Sequence, residues 1–471
     1  MLTLNKFYID GAWVDPASDV TMPIMNPATA TQIGIVSMGN SEDVDRAVAA
    51  AKRAFETFSM TTKAERLALL ENLRAATIAR LDDLAAAITS EMGAPAKMSL
   101  DAQAQSGVGH LDNFIAALKT MDDEEVLPNG DIISREPIGV CGLITPWNWP
   151  INQIALKVVP ALATGATCVL KPSEHTPISA QIYAEIVAAA GYPAGVFNLV
   201  QGDGISVGSA MSRHPDIAMM SFTGSTRAGK AVSKDAADGV KRVTLELGGK
   251  SPNLVFADAD LEKRITQSVR GCFYNSGQSC NAPTRLLVER SCYDEVLELA
   301  KAAGEAQNVG DPAQLGNHIG PVFDKIQYDR VQAMIKAGID EGARVLVGGL
   351  GKPEGLETGW YVKPTIFCDV EHDMRISREE IFGPVLVITP FDTEEEAIKM
   401  ANDTDYGLAA YVQSGDEARV SRVVRRLRAG TIQINGRGPG YGSPFGGYKQ
   451  SGNGREGGVF GLEDYLEIKV R

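Results

Sequence analysis

Cys280 lies in Asn275-Ser276-Gly277-Gln278-Ser279-Cys280, a run too polar and too rich in small residues for the middle of a buried element. A thiol kept only for packing belongs in an apolar stretch, as Cys168 does in Ala-Thr-Cys-Val-Leu. A thiol that attacks a substrate must be reachable and able to lose its proton. Two other residues supply what such a nucleophile lacks: Glu246 in Leu-Glu-Leu-Gly-Gly-Lys and Asn148 in Pro-Trp-Asn-Trp-Pro. Addition of the Cys280 thiolate to a carbonyl carbon creates an oxyanion, which the Asn148 amide and the Cys280 backbone N–H can receive. Losing one such donor costs about 3 kcal/mol of transition-state stabilisation. Glu246 is then the general base that activates water. Set among apolar neighbours, its carboxyl is expected to have a raised pKa, and burying it without a task would be costly.

Positioning these groups falls to alternating strands and helices. The first forty residues suggest short strands and turns, and a helical region follows from Ser41 to Gly93, with Ala64–Ile88 its clearest helix. After Pro137 the spacing predicts strands at Ile138–Thr145, Ala166–Leu170, Val196–Val200, Ile217–Phe222 and Arg242–Leu247, with a helix from Thr176-Pro177 to Gly191. Such alternation predicts a doubly wound parallel sheet with its ligand at the carboxyl ends of the strands. A second α/β series follows Gly248-Gly249. Its strands are expected at Thr284–Val288, Arg344–Val347, Pro384–Ile388, Leu408–Val412 and Thr431–Ile434, and its helices include Phe323–Glu341 and Asp416–Arg428. Two lobes with a cleft between them are the expected result.

In the first lobe, Gly224-Ser225-Thr226-Arg227-Ala228-Gly229 joins a strand to a helix. A pyrophosphate could sit at that helix N-terminus, where free N–H groups favour anions. The spacing is not GxGxxG, and an ordinary strand–turn–helix junction has the same appearance. Lys171-Pro172-Ser173-Glu174 ends another strand, where a lysine and a carboxylate suit the hydroxyls of an adenosine ribose. The carboxylate repels a 2′-phosphate, so NAD is favoured, although the lysine still admits NADP.

Length and composition bound the rest. At 471 residues the chain suggests two or three domains. A net charge of −14 with no basic block argues against nucleic acid and anionic membranes as partners. Six scattered cysteines without CxxC, and five histidines without ligand spacing, point to a reducing compartment and no metal site. The N-terminal residues have no signal-peptide core, so a soluble, cytoplasmic protein is expected.

The ordered set Asn148, Lys171/Glu174, Gly224–Gly229, Glu246, Cys280, Glu380-Ile-Phe382-Gly-Pro and Pro444-Phe-Gly-Gly-Tyr-Lys resembles the aldehyde dehydrogenase superfamily along essentially the whole chain. The separation of Glu246 from Cys280 resembles that family's as well. The resemblance implies a Rossmann-like NAD-binding domain (residues 1–117 and 138–248), an α/β catalytic domain (249–458) and a small β oligomerisation arm (118–137 and 459–471). Asn129-Gly130 suits the arm's hairpin turn, and Leu462–Val470 its final strand. A homodimer or homotetramer follows by the same resemblance. The implied reaction is oxidation of an aldehyde to its acid through a Cys280 thiohemiacetal and thioester, with hydride passing to NAD.

Glu380 and Phe382 resemble the family's nicotinamide-ribose ligand and its ring neighbour, and Trp147 the residue beside the pyrophosphate. Lys157 and Glu456 match positions of a proton relay. Trp149, Gln153, Tyr274, Ser279 and Asn281 are the implied substrate wall, which would suit an aromatic or medium- to long-chain aldehyde, including an ω-oxo acid. Tyr274 stands where relatives acting on short acidic semialdehydes carry arginine. Arg437 is either an entrance anchor for a distal carboxylate or a surface arginine. Rival readings are a coenzyme A-acylating relative, which generally lacks the glutamate matching Glu246, a non-catalytic protein on the same fold, and a thiol hydrolase with no use for ribose-binding residues.

Overall fold

The alternating apolar segments after Pro137 pair as a parallel sheet in the computed structural model, which describes residues 1–471. Its five parallel strands stand in the order Arg242–Glu246, Met219–Thr223, Val140–Ile144, Thr167–Lys171, Phe197–Leu199. Sequence order reverses between Val140–Ile144 and Met219–Thr223, and a crevice for a ligand opens at the carboxyl ends beside such a reversal. Helices cover both faces, so four of the five strands are buried at every residue and read as continuous apolar runs rather than alternating ones. Strands Phe7–Ile9 and Ala12–Val14 extend one edge in antiparallel fashion.

The helix Pro150–Thr164 carries proline in its first turn and ends at Gly165, whose φ of +92° supplies the left-handed C-cap. It is buried along nearly its whole length in the largest apolar cluster of the molecule. That burial holds Trp149, Gln153 and Lys157 in place, because a helix packed on all sides cannot rotate.

The second lobe is a seven-stranded sheet in the order Arg344–Val347, Thr365–Cys368, Val385–Phe391, Arg285–Glu289, Pro252–Val255, Ala409–Gln413, Thr431–Ile434. Pro252–Val255 and Thr365–Cys368 were not evident in the sequence. Each has only four residues, and Pro252 occupies a first strand position, where proline is tolerated. Gly452–Asn453 returns from the second stretch of chain to pair with Arg242–Glu246 in the first sheet.

Two expectations need correction. The helix expected over Ala64–Ile88 is two helices, Lys63–Ala79 and Leu81–Met92, broken at Arg80 with φ −119° and ψ 15°. Apolar periodicity runs through the break, so the pattern alone does not show it. The strand expected over Leu462–Val470 begins only at Leu466, and Gly458–Glu463 is helical. Leu462, Tyr465 and Leu466 all enter the main core, a spacing that a helical turn satisfies and a strand does not. The remaining strand, Leu466–Val470, pairs with Ile132–Pro137, which pairs in turn with Glu124–Val126 across a turn containing Asn129-Gly130.

Candidate active site

Of the six cysteines, all free, only Cys280 is not buried. It follows three consecutive left-handed residues: Asn275 (φ 53°), Ser276 (φ 56°) and Gly277 (φ 72°). Two of these are not glycine, and each costs about 1–2 kcal/mol relative to ordinary backbone, so neighbours must hold the loop. Gly277 itself is obligatory, since a Cβ there would collide with the Gly383 carbonyl. Although the residue is partly exposed, its thiol is turned away from bulk water, and this desolvation, reinforced by the Glu380 and Glu246 carboxylates, holds Cys280 protonated above its ordinary range.

Asn148 follows the end of strand Val140–Ile144 at the order reversal. Its Nδ2 donates to the Gln278 carbonyl at 3.0 Å, two residues before Cys280. The next residue repeats the tie, as Trp149 Nε1 donates to Ser279 Oγ at 2.9 Å. The oxyanion candidate is therefore fastened to the nucleophile's own loop.

Glu246 ends its strand fully buried, and neither carboxylate oxygen has a hydrogen-bond partner. Burial raises its pKa well above the ordinary range, the nearby Glu456 carboxylate adds to this, and Lys157 partly opposes it. Lys157 Nζ donates to Glu456 Oε1 at 2.5 Å and to Ser221 Oγ at 3.1 Å, all within the interior. Glu246, Lys157 and Glu456 thus form one electrostatic group, contributed by a strand, a helix and a C-terminal loop.

A cleft of about 390 Å³ opens onto Cys280. Trp149, Gln153, Ser279 and Asn281 line it. Tyr274 does not; it lines the adjoining cleft and lies beside Trp149 with ring centroids 6.1 Å apart. Arg437 is exposed and is not among the residues that line this cleft.

The rest of the wall includes His110, Asn152, Leu156, Phe445, Glu456 and the 439–443 loop with Tyr441. Asn152 and Leu156 share a face of the Pro150–Thr164 helix, a period-four signal that was available. His110 and Tyr441 meet only through the fold, with ring centroids 5.0 Å apart. His110 Nε2 bonds Asn152 Oδ1 at 2.8 Å, and burial lowers its pKa to about 4.

On the other side of the crevice, Gly224 and Ser225 lead from strand Met219–Thr223 into helix Thr226–Ala237, where the Ser225 side chain caps Ala228 N–H. Lys171 is buried, and its ammonium already donates to Glu174, Pro172 and Gly202 at 3.2, 2.8 and 2.6 Å. Glu174 is only partly covered; burial works against its charge, but Lys171, the Glu174 backbone N–H and His175 together outweigh this and keep its pKa low. Ser173 shapes the turn by accepting His175 N–H at 3.3 Å. Trp147 stacks on Phe323 at 4.5 Å and meets Phe382 edge-on at 5.6 Å. Glu380 Oε1 accepts Gly249 N–H at 2.9 Å. No cluster of three or more His, Cys, Asp or Glu is placed to hold a metal.

Comparison with known proteins agrees with this fold. Residues 13–471 match the model of the aldehyde dehydrogenase family. The chain is 52% identical over 471 residues to a 3-succinoylsemialdehyde-pyridine dehydrogenase of a Pseudomonas species, covering 100% of this chain and 98% of that one. An aldehyde dehydrogenase structure from Bartonella henselae superposes with a TM-score of 0.99 at 51% identity, covering 100% and 99% of the two chains. Mutant aldehyde dehydrogenase C of Pseudomonas syringae, solved with NAD+ and octanal, superposes with a TM-score of 0.97 at 49% identity, covering 99% and 96%. The chain belongs to the aldehyde dehydrogenase family.

Proposed function

We propose that the protein oxidises an aldehyde to its carboxylic acid with NAD, through a thioester on Cys280 hydrolysed by water that Glu246 activates. One observation carries the reading: the single reachable cysteine is bound, through its own loop, to the Asn148 amide. The crevice residues fit NAD. Glu174 is partly exposed near the strand-order reversal, a capped helix starts at Ser225, and the Glu380 carboxylate lies close over Gly248. Glu174 and Lys171 would hold the adenosine ribose, the lysine by exchanging one of its three bonds. Gly224–Ser225 and Trp147 would flank the pyrophosphate, and Glu380 and Phe382 the nicotinamide end. Bound NAD supplies the hydride acceptor.

The chain's own residues do the rest. Asn148 Nδ2 keeps one proton on Gln278 and has the other for the oxyanion. Burial holds Glu246 uncharged at rest; once it has lost that proton to solvent, it can take the Cys280 proton and, after passing it on, one from water. Lys157 and Glu456 offer that proton a route away from the site. The buried, unpartnered Glu246 carboxylate favours hydrolysis over transfer to coenzyme A.

For the substrate, the cleft is walled by Trp149, Leu156, Phe445 and Tyr441, which suits an aromatic or medium- to long-chain aldehyde. Gln153 adds polarity: it is buried, and its Oε1 has no partner in the protein. The octanal bound to one relative and the keto-aldehyde name of another both agree with such a cleft. We place the three-stranded sheet at a contact between copies, giving a homodimer or homotetramer, and the activity in the reducing cytoplasm.

The test is nicotinamide reduction across aliphatic, aromatic, keto- and carboxylate-bearing aldehydes, with NAD or NADP and without coenzyme A. Sustained turnover with NAD is expected, and none from Cys280→Ala, which retains NAD binding. A single burst restored only by coenzyme A would remove Glu246 from its assigned role.

A further inference from the structure

Four buried carboxamides lie directly behind the nucleophile: Gln103, Asn148, Asn275 and Gln278, each at most 5% exposed. Gln103 comes from the π-helical segment Ser99–Ala104, far in sequence from the others. Such wide turns insert a residue into a helix and recur at functional sites. Its Nε2 donates both to the Asn148 carbonyl and to Asn275 Oδ1, each at 3.2 Å. Asn275 Nδ2 donates to that same Asn148 carbonyl at 2.9 Å and to the Gln278 carbonyl at 3.2 Å. Gln278 Nε2 returns to the Asn275 carbonyl at 3.1 Å, while its Oε1 accepts Phe323 N–H at 2.8 Å.

The network joins the two loops that carry the chemistry. Asn148 is held at its backbone by Gln103 and Asn275, and at its side chain by Gln278. Asn275 is also the first of the three left-handed residues before Cys280, so Gln103 braces the strained turn through its side chain. Gln103 Oε1 has no partner, so this residue contributes only as a donor. A donor that bridges both loops fixes the distance between the Asn148 amide and the thiol, and an oxyanion site depends on that placement being set before reaction.

We infer that Gln103 is a positioning residue for oxyanion stabilisation, acting through Asn148 and Asn275 without touching the substrate. The inference rests on Asn148 serving the oxyanion. The test is a double-mutant cycle of Gln103→Met and Asn148→Ala, reading kcat/KM for the best aldehyde and the Kd of NAD. Gln103→Met is expected to lower kcat/KM about tenfold in the native background, a coupling in the usual range for residues of one network. It should lower it less than about twofold in Asn148→Ala, because the group it positions is gone. The Kd of NAD should not change.

Equal losses in both backgrounds, or no loss in the native one, would overturn the inference while leaving the role of Asn148 intact. An Asn148→Ala variant of undiminished kcat/KM would overturn both. If Gln103→Met does not fold, Gln103→Glu, of equal size but without the amide donor, enters the same cycle under the same criteria.

Discussion

The two ionisable groups of the candidate site start in states opposite to those the proposed chemistry uses. Cys280 is held as a thiol and Glu246 as an acid, both chiefly by burial. Glu246 must therefore lose its proton before it can take the thiol's, so in the proposed reaction the rate should follow the ionisation of Glu246. Activity is expected to rise with pH along a limb whose apparent pKa lies well above the ordinary carboxylate range. Glu246→Gln should abolish that limb and reduce the reaction to a single burst of nicotinamide reduction. Stability supplies an independent check. A folded-state pKa above the unfolded value means that the folded protein binds the proton more tightly, so stability falls as pH rises from the unfolded to the folded pKa. Glu246→Gln is therefore expected to melt above the wild type at pH 8, with the difference vanishing below about pH 4, where the unfolded carboxyl is protonated as well. A wild type that melts higher at pH 8 would mean that ionised Glu246 has partners the structure does not show.

At the scale of elements, helix starts are capped from near and far. Ser225 caps its own helix, as Asn40 and Thr62 do theirs. The helix Pro177–Ala189 has no local side-chain cap. Glu91, on the distant helix Leu81–Met92, instead accepts Ile178 and Ser179 N–H at 2.7 and 2.9 Å. Glu91 is fully buried, and burial raises its pKa to about 7 despite those bonds. Glu91→Ala strands two buried N–H groups and is expected to destabilise the protein by about 2 kcal/mol. Chemical denaturation would read this, with NAD affinity as a control on the neighbouring 171–176 turn.

For the whole molecule, the small sheet of Leu466–Val470, Ile132–Pro137 and Glu124–Val126 presents exposed Val126, Ile468 and Val470. Edge strands with apolar side chains are left open at a cost unless another chain covers them. Ile468→Asp is expected to lower the mass measured by light scattering toward that of one chain, because it buries a charge in the proposed contact. An unchanged mass would place the contact between copies on another face. The helices themselves offer no membrane alternative, as none is long and apolar enough to cross a bilayer.

What was legible in the sequence was whatever is local. Cys280 announced itself by polar neighbours, Glu246 by leucines around a charge, and the parallel sheet by apolar runs alternating with helices. These signals survive without contacts because solvation and period act on neighbouring residues. The roles of Lys157 and Glu456 came only by resemblance, although their pairing at 2.5 Å is plain in three dimensions. Tyr274 shows the limit from the other side: one residue before a left-handed turn, it leaves the Cys280 cleft for the next. Gln103, His110 and Tyr441 carried no local signal, since a buried amide or ring looks like core until its partners are known. The carboxamide network decides where Asn148 faces Cys280, and it exists only because three distant segments are brought within hydrogen-bond reach. Residue types set the available chemistry; hydrogen bonds that close only on folding set the distances at which it works.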